Sequence, residues 1–229
     1  MNTIKRVLSF FRKGLDIIRA HKKVYIALNV GVYGLIVVTM VIARLFPQLQ
    51  VAAQTGTDTS TDPFNPLFEA TYGAGNVLGG AAVTLGVNLI IGAVLTLTAP
   101  TLVIPFIGVA FAFARIASWG FIFSPTAPSD MSWFIPHMIT AIIEAQGYIL
   151  AAFAAYVHGR FTTQPRRFGF PGHRAGYVAG IKAIAHLYPL IIVVLALAAL
   201  WEAVELIHIV PGGFLDWWLG KTPVIPHNL

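Results

Sequence analysis

Long apolar stretches that carry charges inside them constrain this chain more than any other feature. The first runs for 23 residues, from Val24 to Phe46, before Pro47 ends it. A bilayer crossing needs about 20 predominantly apolar residues. By the same reading the chain has five spans, at about 24–46, 73–99, 101–123, 133–157 and 187–210. Three of them carry ionisable groups: Arg115 in the third, Glu144 in the fourth, and Glu202 with Glu205 in the fifth. A charge deep in a membrane helix costs several kcal/mol unless it is paired or hydrated. The expected architecture is therefore an all-α integral membrane bundle with a polar cluster turned away from lipid.

Composition supports this class. Hydrophobic residues make up 57% of the chain and charged residues only 10%. Soluble domains average about 25% charged residues, and such a chain lacks the polar surface to stay in water. Twelve of the fifteen Lys and Arg fall in two segments, 1–23 and 158–182. That clustering sets membrane orientation and lipid contact rather than nucleic-acid binding, since no base-stacking platform accompanies it. With four spans between them, both basic segments lie on one side, the cytoplasmic side by the positive-inside rule. The N-terminus is then inside a cell (inner) membrane, and the C-terminal tail, 211–229, is outside.

Residues 1–23 form an expected amphipathic helix. Ile4, Val7, Leu8, Phe11, Leu15 and Ile18 recur at helical spacing. Lys5, Arg6, Arg12, Lys13, Arg19, Lys22 and Lys23 fill most of the remainder. Such a helix lies in an anionic interface, and Arg166 and Arg167 of the second basic segment fit the same surface. The alternative is a lid packed on the end of the bundle. The segment 48–71 reads as a polar loop with Asp58, Asp62 and Glu69, including a short helix near 64–71. Span two is rich in glycine; Gly75 and Gly79 form a GxxxG pair for close helix packing, and Asn76 and Asn88 add amides that need partners. Pro100 marks a tight turn, 158–182 a basic loop, and Trp217 and Trp218 stand like interfacial anchors.

Depth brings the charges together. At a rise of about 1.5 Å per residue, Arg115, Glu144 and Glu202 lie roughly 12–16 Å from the outer ends of their spans, with Glu205 one turn nearer the outside. His137 approaches from the outer end of span four. One Arg cannot neutralise three carboxylates. The cluster either locks three helices in register or binds a proton, ion or polar ligand.

The motifs PHMITAIIE (Pro136 to Glu144) and LAALWEAVE (Leu197 to Glu205) follow the Asn76 and Asn88 features of span two. Together with the basic N-terminal helix and short tail, they resemble the stage II sporulation protein M family of multi-span membrane proteins. That family has a Pro-His motif before a Glu in a late span and an Ala-Ala-x-x-Glu-like stretch closing the last one. The resemblance covers most of the chain. Met138 stands where the family has Gly after Pro-His, and Arg115 has no place in its pattern, so residue transfer stops at His137, Glu144 and Glu202. The resemblance implies a non-enzymatic subunit of a membrane complex, with other membrane proteins or further copies of itself as partners.

Catalytic and metal readings find little support. There is no cysteine, which excludes disulfides and thiolate sites, and there is no HExxH. His137 and Glu144 share a helix face, but two groups do not make a zinc site. His158 and His173 read as solvated loop histidines. His186 and His137 are the candidates for pigment or haem ligation, each more simply an interior hydrogen-bonded group. No cofactor and no metal is expected. A transporter or channel-like protein using Glu144, Glu202, Glu205 and Arg115 is the alternative to the scaffold reading.

Overall fold

A computed structural model describes residues 3–56, 63–222 and 224–226, leaving aside the side chains of 3, 4, 6 and 7. Asp58, Asp62 and the Arg6 side chain lie outside the described residues. The described chain is helical and contains no strand, as the apolar periodicity requires.

Helix α1 (Thr3–Ala20) is followed after one residue by α2 (Lys22–Leu45). Pro47 then opens α3 (Pro47–Gly56), so the first part of the expected polar loop is helical. Proline at the first helical position loses nothing, because that N–H has no intrahelical partner. A short α4 (Asn65–Phe68) runs into a π-helical turn, Glu69–Gly73. Next come α5 (Val77–Gly86), a π-helical stretch (Val87–Thr98) and α6 (Ala99–Val103), which form one continuous rod. The sequence then gives α7 (Ile107–Ile122), α8 (Met131–Thr163), α9 (His173–His208) and α10 (Gly212–Trp218).

Four of these rods are long and apolar enough to cross a membrane: 22–45, 77–103, 128–163 and 173–208. The fifth apolar helix, α7, has 16 residues. Outward positions on the long helices are apolar too, for example Val30, Val37, Val38 and Val41 on α2 and Ile192, Val193 and Leu197 on α9. Helices that are apolar all round belong in lipid or in a large core.

Several expected boundaries move. Pro100 does not make the turn; it sits near the start of α6, and the chain turns at 104–106, where Phe106 takes a positive φ of 71°. A π-helical register just before Pro100 loosens the ladder in which its missing N–H would have taken part. The basic segment 158–182 is mostly helix: α8 runs on to Thr163 and α9 starts at His173, which leaves 164–172 as the connection. His158 is accordingly a fully buried helical residue rather than a solvated loop histidine. His173 is exposed, with Nδ1 2.7 Å from the Thr162 carbonyl.

The chain divides into two compact units, and the division cuts across the long helices. The first holds residues 1–32, 88–114 and 145–195. Its core includes the alanine-rich stretch of α8 (Ala151, Ala152, Ala154, Ala155) and the α9 stripe Leu187, Ile191 and Leu195. Small residues let helix backbones approach, which is the main source of packing energy where no hydrophobic effect operates. Tyr188 shares a 2.7 Å hydrogen bond with Thr98 and donates to the Ala93 carbonyl of the π-helical stretch. Helix α1 packs here, with Phe10 5.0 Å from His186, while Lys5, Arg12, Lys13 and Arg19 stay exposed. His21 sits among Phe153, Phe161 and Phe168; burial, then the Arg160 charge, lowers its pKa.

The second unit holds residues 33–87, 115–144 and 196–229. Gln54 on α3 donates to the Ile122 carbonyl at 2.9 Å and so satisfies an end group of α7. Asp130 accepts from the Thr126 and Ala127 amides at 2.7 and 2.8 Å, fixing the chain's entry to α8. Trp217 is buried in this core and Trp218 half-buried, so neither is a free interfacial anchor.

Candidate functional site

Within the second unit, α7, α8 and α9 bring together Arg115, His137, Glu144, Glu202 and Glu205, the group expected from depth. On α8, His137, Thr140 and Glu144 follow one another at three and four residues, so they share one face. Glu202 and Glu205 are three apart on α9 and share a face in the same way.

Each carboxylate has a different environment. Glu205 is completely buried and lies 2.9 Å from His137 Nδ1, whose N–H donates to it. The Thr140 hydroxyl donates to its other oxygen. Two α8 side chains thus grip one α9 carboxylate. Glu144 lies 3.8 Å from the Arg115 guanidinium, whose side chain is 33% exposed and runs over the Trp119 ring. Glu202 is 1% exposed, and neither of its oxygens has a hydrogen-bond partner among the described residues. It feels the negative charges of Glu144 and Glu205 and, less strongly, the positive charge of Arg115.

An aromatic wall closes one side. His137 has Phe123 at 4.5 Å, Phe214 at 5.1 Å and Trp218 at 5.7 Å between ring centres. Phe214 also stacks on Trp133 at 5.1 Å. Helix α10, which supplies Phe214 and Trp218, folds back after Pro211 to seal the site. Trp201 donates its indole N–H to the Pro136 carbonyl at 3.3 Å, a further tie between α9 and α8. On another flank stands Tyr72, buried and hydrogen-bonded to Thr84 at 2.6 Å. Burial raises its pKa, and the charge of Glu202, then those of Glu205 and Glu144, push it the same way. The phenol is therefore neutral, a fixed dipole beside three carboxyl groups.

Other expected site residues do not join this cluster. Gly75 is not on a membrane helix: it holds φ of +68° in the turn before α5, a conformation open to glycine. Asn76 is the N-cap of α5, its side chain accepting the Gly79 amide at 2.9 Å. Gly75 and Gly79 thus share no helix face, and the GxxxG reading is replaced by a cap. Asn88 is buried in the first unit, at the start of the π-helical stretch. The basic residues Lys22, Lys23, Arg166 and Arg167 are exposed.

Sequence reasoning missed Thr140, Tyr72 and the aromatic wall. Thr140 carries a legible signal, three residues after His137 on the same face. Tyr72 carries none, because it arrives from the polar segment before α5. Among the described residues no group of three His, Asp or Glu side chains is arranged to hold a metal ion. Comparison with protein-family models, with curated proteins and with solved structures finds no match.

Proposed function

We propose that this chain is a multi-pass membrane protein that binds and passes a small cation at the Arg115, Glu144, Glu202 and Glu205 cluster, with His137 and Thr140 holding Glu205 in place. One observation carries the reading: the Glu202 carboxylate is buried and has no hydrogen-bond partner among the described residues. A cluster built only to lock helices would pair its carboxylates, as Glu144 and Glu205 are paired here. An isolated buried charge is too costly to keep, so a positive occupant is required when Glu202 is ionised. The protein lies in the cell membrane with the basic N-terminus on the cytoplasmic side, where α1 rests on anionic lipid. The test is flux in liposomes containing the purified protein. Wild type should carry a cation current or pH change, and Glu202→Gln, folded by thermal melt, should abolish it. Equal flux in both would sink the proposal.

A second reading has its own support. The His137–Glu205 and Trp201–Pro136 ties fix α8 against α9, and the chain resembles the stage II sporulation protein M family. On this reading it is a non-enzymatic subunit of a membrane complex. Gentle detergent purification should then bring a stoichiometric membrane partner, and Glu202→Gln should leave that partnership intact.

A further inference from the structure

We infer that the occupant of the cluster is a single proton, carried by Glu202. This rests on the cation-handling reading and names its substrate.

Counting partners gives the number. Glu144 has the Arg115 guanidinium beside it, and Glu205 has His137 and Thr140. Glu202 has no such group among the described residues. One carboxylate is left without a donor or a cation beside it among the described residues, and one proton serves it.

Ligand chemistry gives the identity. A metal cation stripped of water needs several oxygen ligands, six to eight for calcium and near-octahedral six for magnesium. No group of three acidic or histidine side chains among the described residues is arranged to supply them. A proton needs one oxygen. It turns an ion that is very costly to bury in an apolar medium into a neutral carboxyl that is far less so. The groups that face Glu202 are the Glu144 and Glu205 carboxylates, the Arg115 guanidinium and the Tyr72 phenol. His137 is occupied with Glu205 and enclosed by Phe123, Phe214 and Trp218, so it is not available to Glu202.

The step is a simple exchange. A proton from water binds a Glu202 oxygen, the carboxylate becomes a carboxylic acid, and the reverse releases it.

The experiment is infrared difference spectroscopy of the full chain in liposomes, titrated in pH with sodium, potassium or choline as the sole external cation. Above about pH 6, where exposed carboxyls are already ionised, wild type should show one protonated-carboxyl carbonyl band that shifts in heavy water, titrates once per chain and ignores the identity of the salt. Glu202→Gln should remove that band, and Glu69→Gln, at an exposed carboxylate outside the cluster, should leave it. Glu202→Asp, which keeps an ionisable group, should move the band rather than erase it, and so covers the case in which the amide variant does not fold. A band that sodium or potassium removes and choline does not would overturn the inference, showing a metal cation at the site while leaving cation handling intact. Persistence of the wild-type band in Glu202→Gln would overturn it as well. A band that behaves as expected, in a protein without flux, would uphold the protonated carboxyl and sink the transport reading alone.

Discussion

Replacing His137 by alanine should strip Glu205 of a hydrogen-bond partner while leaving the carboxylate fully buried. Glu205 is 0% exposed and His137 3%, so water cannot take over the lost hydrogen bond. Removing one partner of a buried pair costs about 3–5 kcal/mol, chiefly through the charge left behind. The ring also fills space against Phe123, Phe214 and Trp218, and its loss opens a cavity there. Thr140 still donates to Glu205, which holds the expected cost toward the lower end of that range. The penalty attaches to the charge, so removing the charge should relieve it. Glu205→Gln in the His137→Ala background should recover about 1–3 kcal/mol, the desolvation cost of an unsatisfied buried group. The assay is reversible unfolding in mixed micelles, followed by the fluorescence of Trp133, Trp217 and Trp218. A double mutant as unstable as the sum of the two single changes would refute the argument, because it would show no coupling between the residues.

Two further outcomes follow from the first unit. In Gly108→Ala the new methyl would meet the Thr101 hydroxyl at 2.5 Å and the Leu97 carbonyl closer still, with backbone that cannot swing aside; the variant should lose about 1–3 kcal/mol in the same unfolding assay, and unchanged stability would show that the helices are not so close. His21 should make the junction of α1 and α2 acid-sensitive. Its folded pKa lies below the ordinary 6.5, so the unfolded chain takes up the proton first. The stability it contributes is present above pH 6.5 and is lost as pH falls below that toward the folded value. Hydrogen exchange around Ala20–Val24 should quicken on acidification in wild type and change less in His21→Phe; equal acid sensitivity in both would rule His21 out.

The all-α bundle was legible because lipid imposes one rule on a spanning chain: its backbone must bond to itself, and an apolar run of sufficient length becomes a helix. Val24 to Phe46 meets that rule without any knowledge of neighbours, and α2 occupies 22–45. The meeting of Arg115, Glu144, Glu202 and Glu205 was legible for a related reason, since helical rise converts position into depth. Helix ends were harder. Pro100 and the basic segment 158–182 look like breaks by composition, yet a π-helical register absorbs the one and polar helix ends absorb most of the other. Gly75 and Gly79 show the same limit, because a four-residue spacing is a packing stripe only where both residues lie in one helix.

What the sequence alone determined is which residues are apolar enough to enter the membrane and which charges must go with them. Pairing was decided only by tertiary structure. Three glutamates are equivalent on paper; rotation of α8 and α9 about their axes gives one of them His137 and Thr140, another Arg115, and the third no hydrogen-bond partner among the described residues. Hydropathy and spacing fix a residue's depth along its helix axis, but the azimuth toward a neighbour depends on side chains far away in the chain, Phe214 and Trp218 of α10 among them.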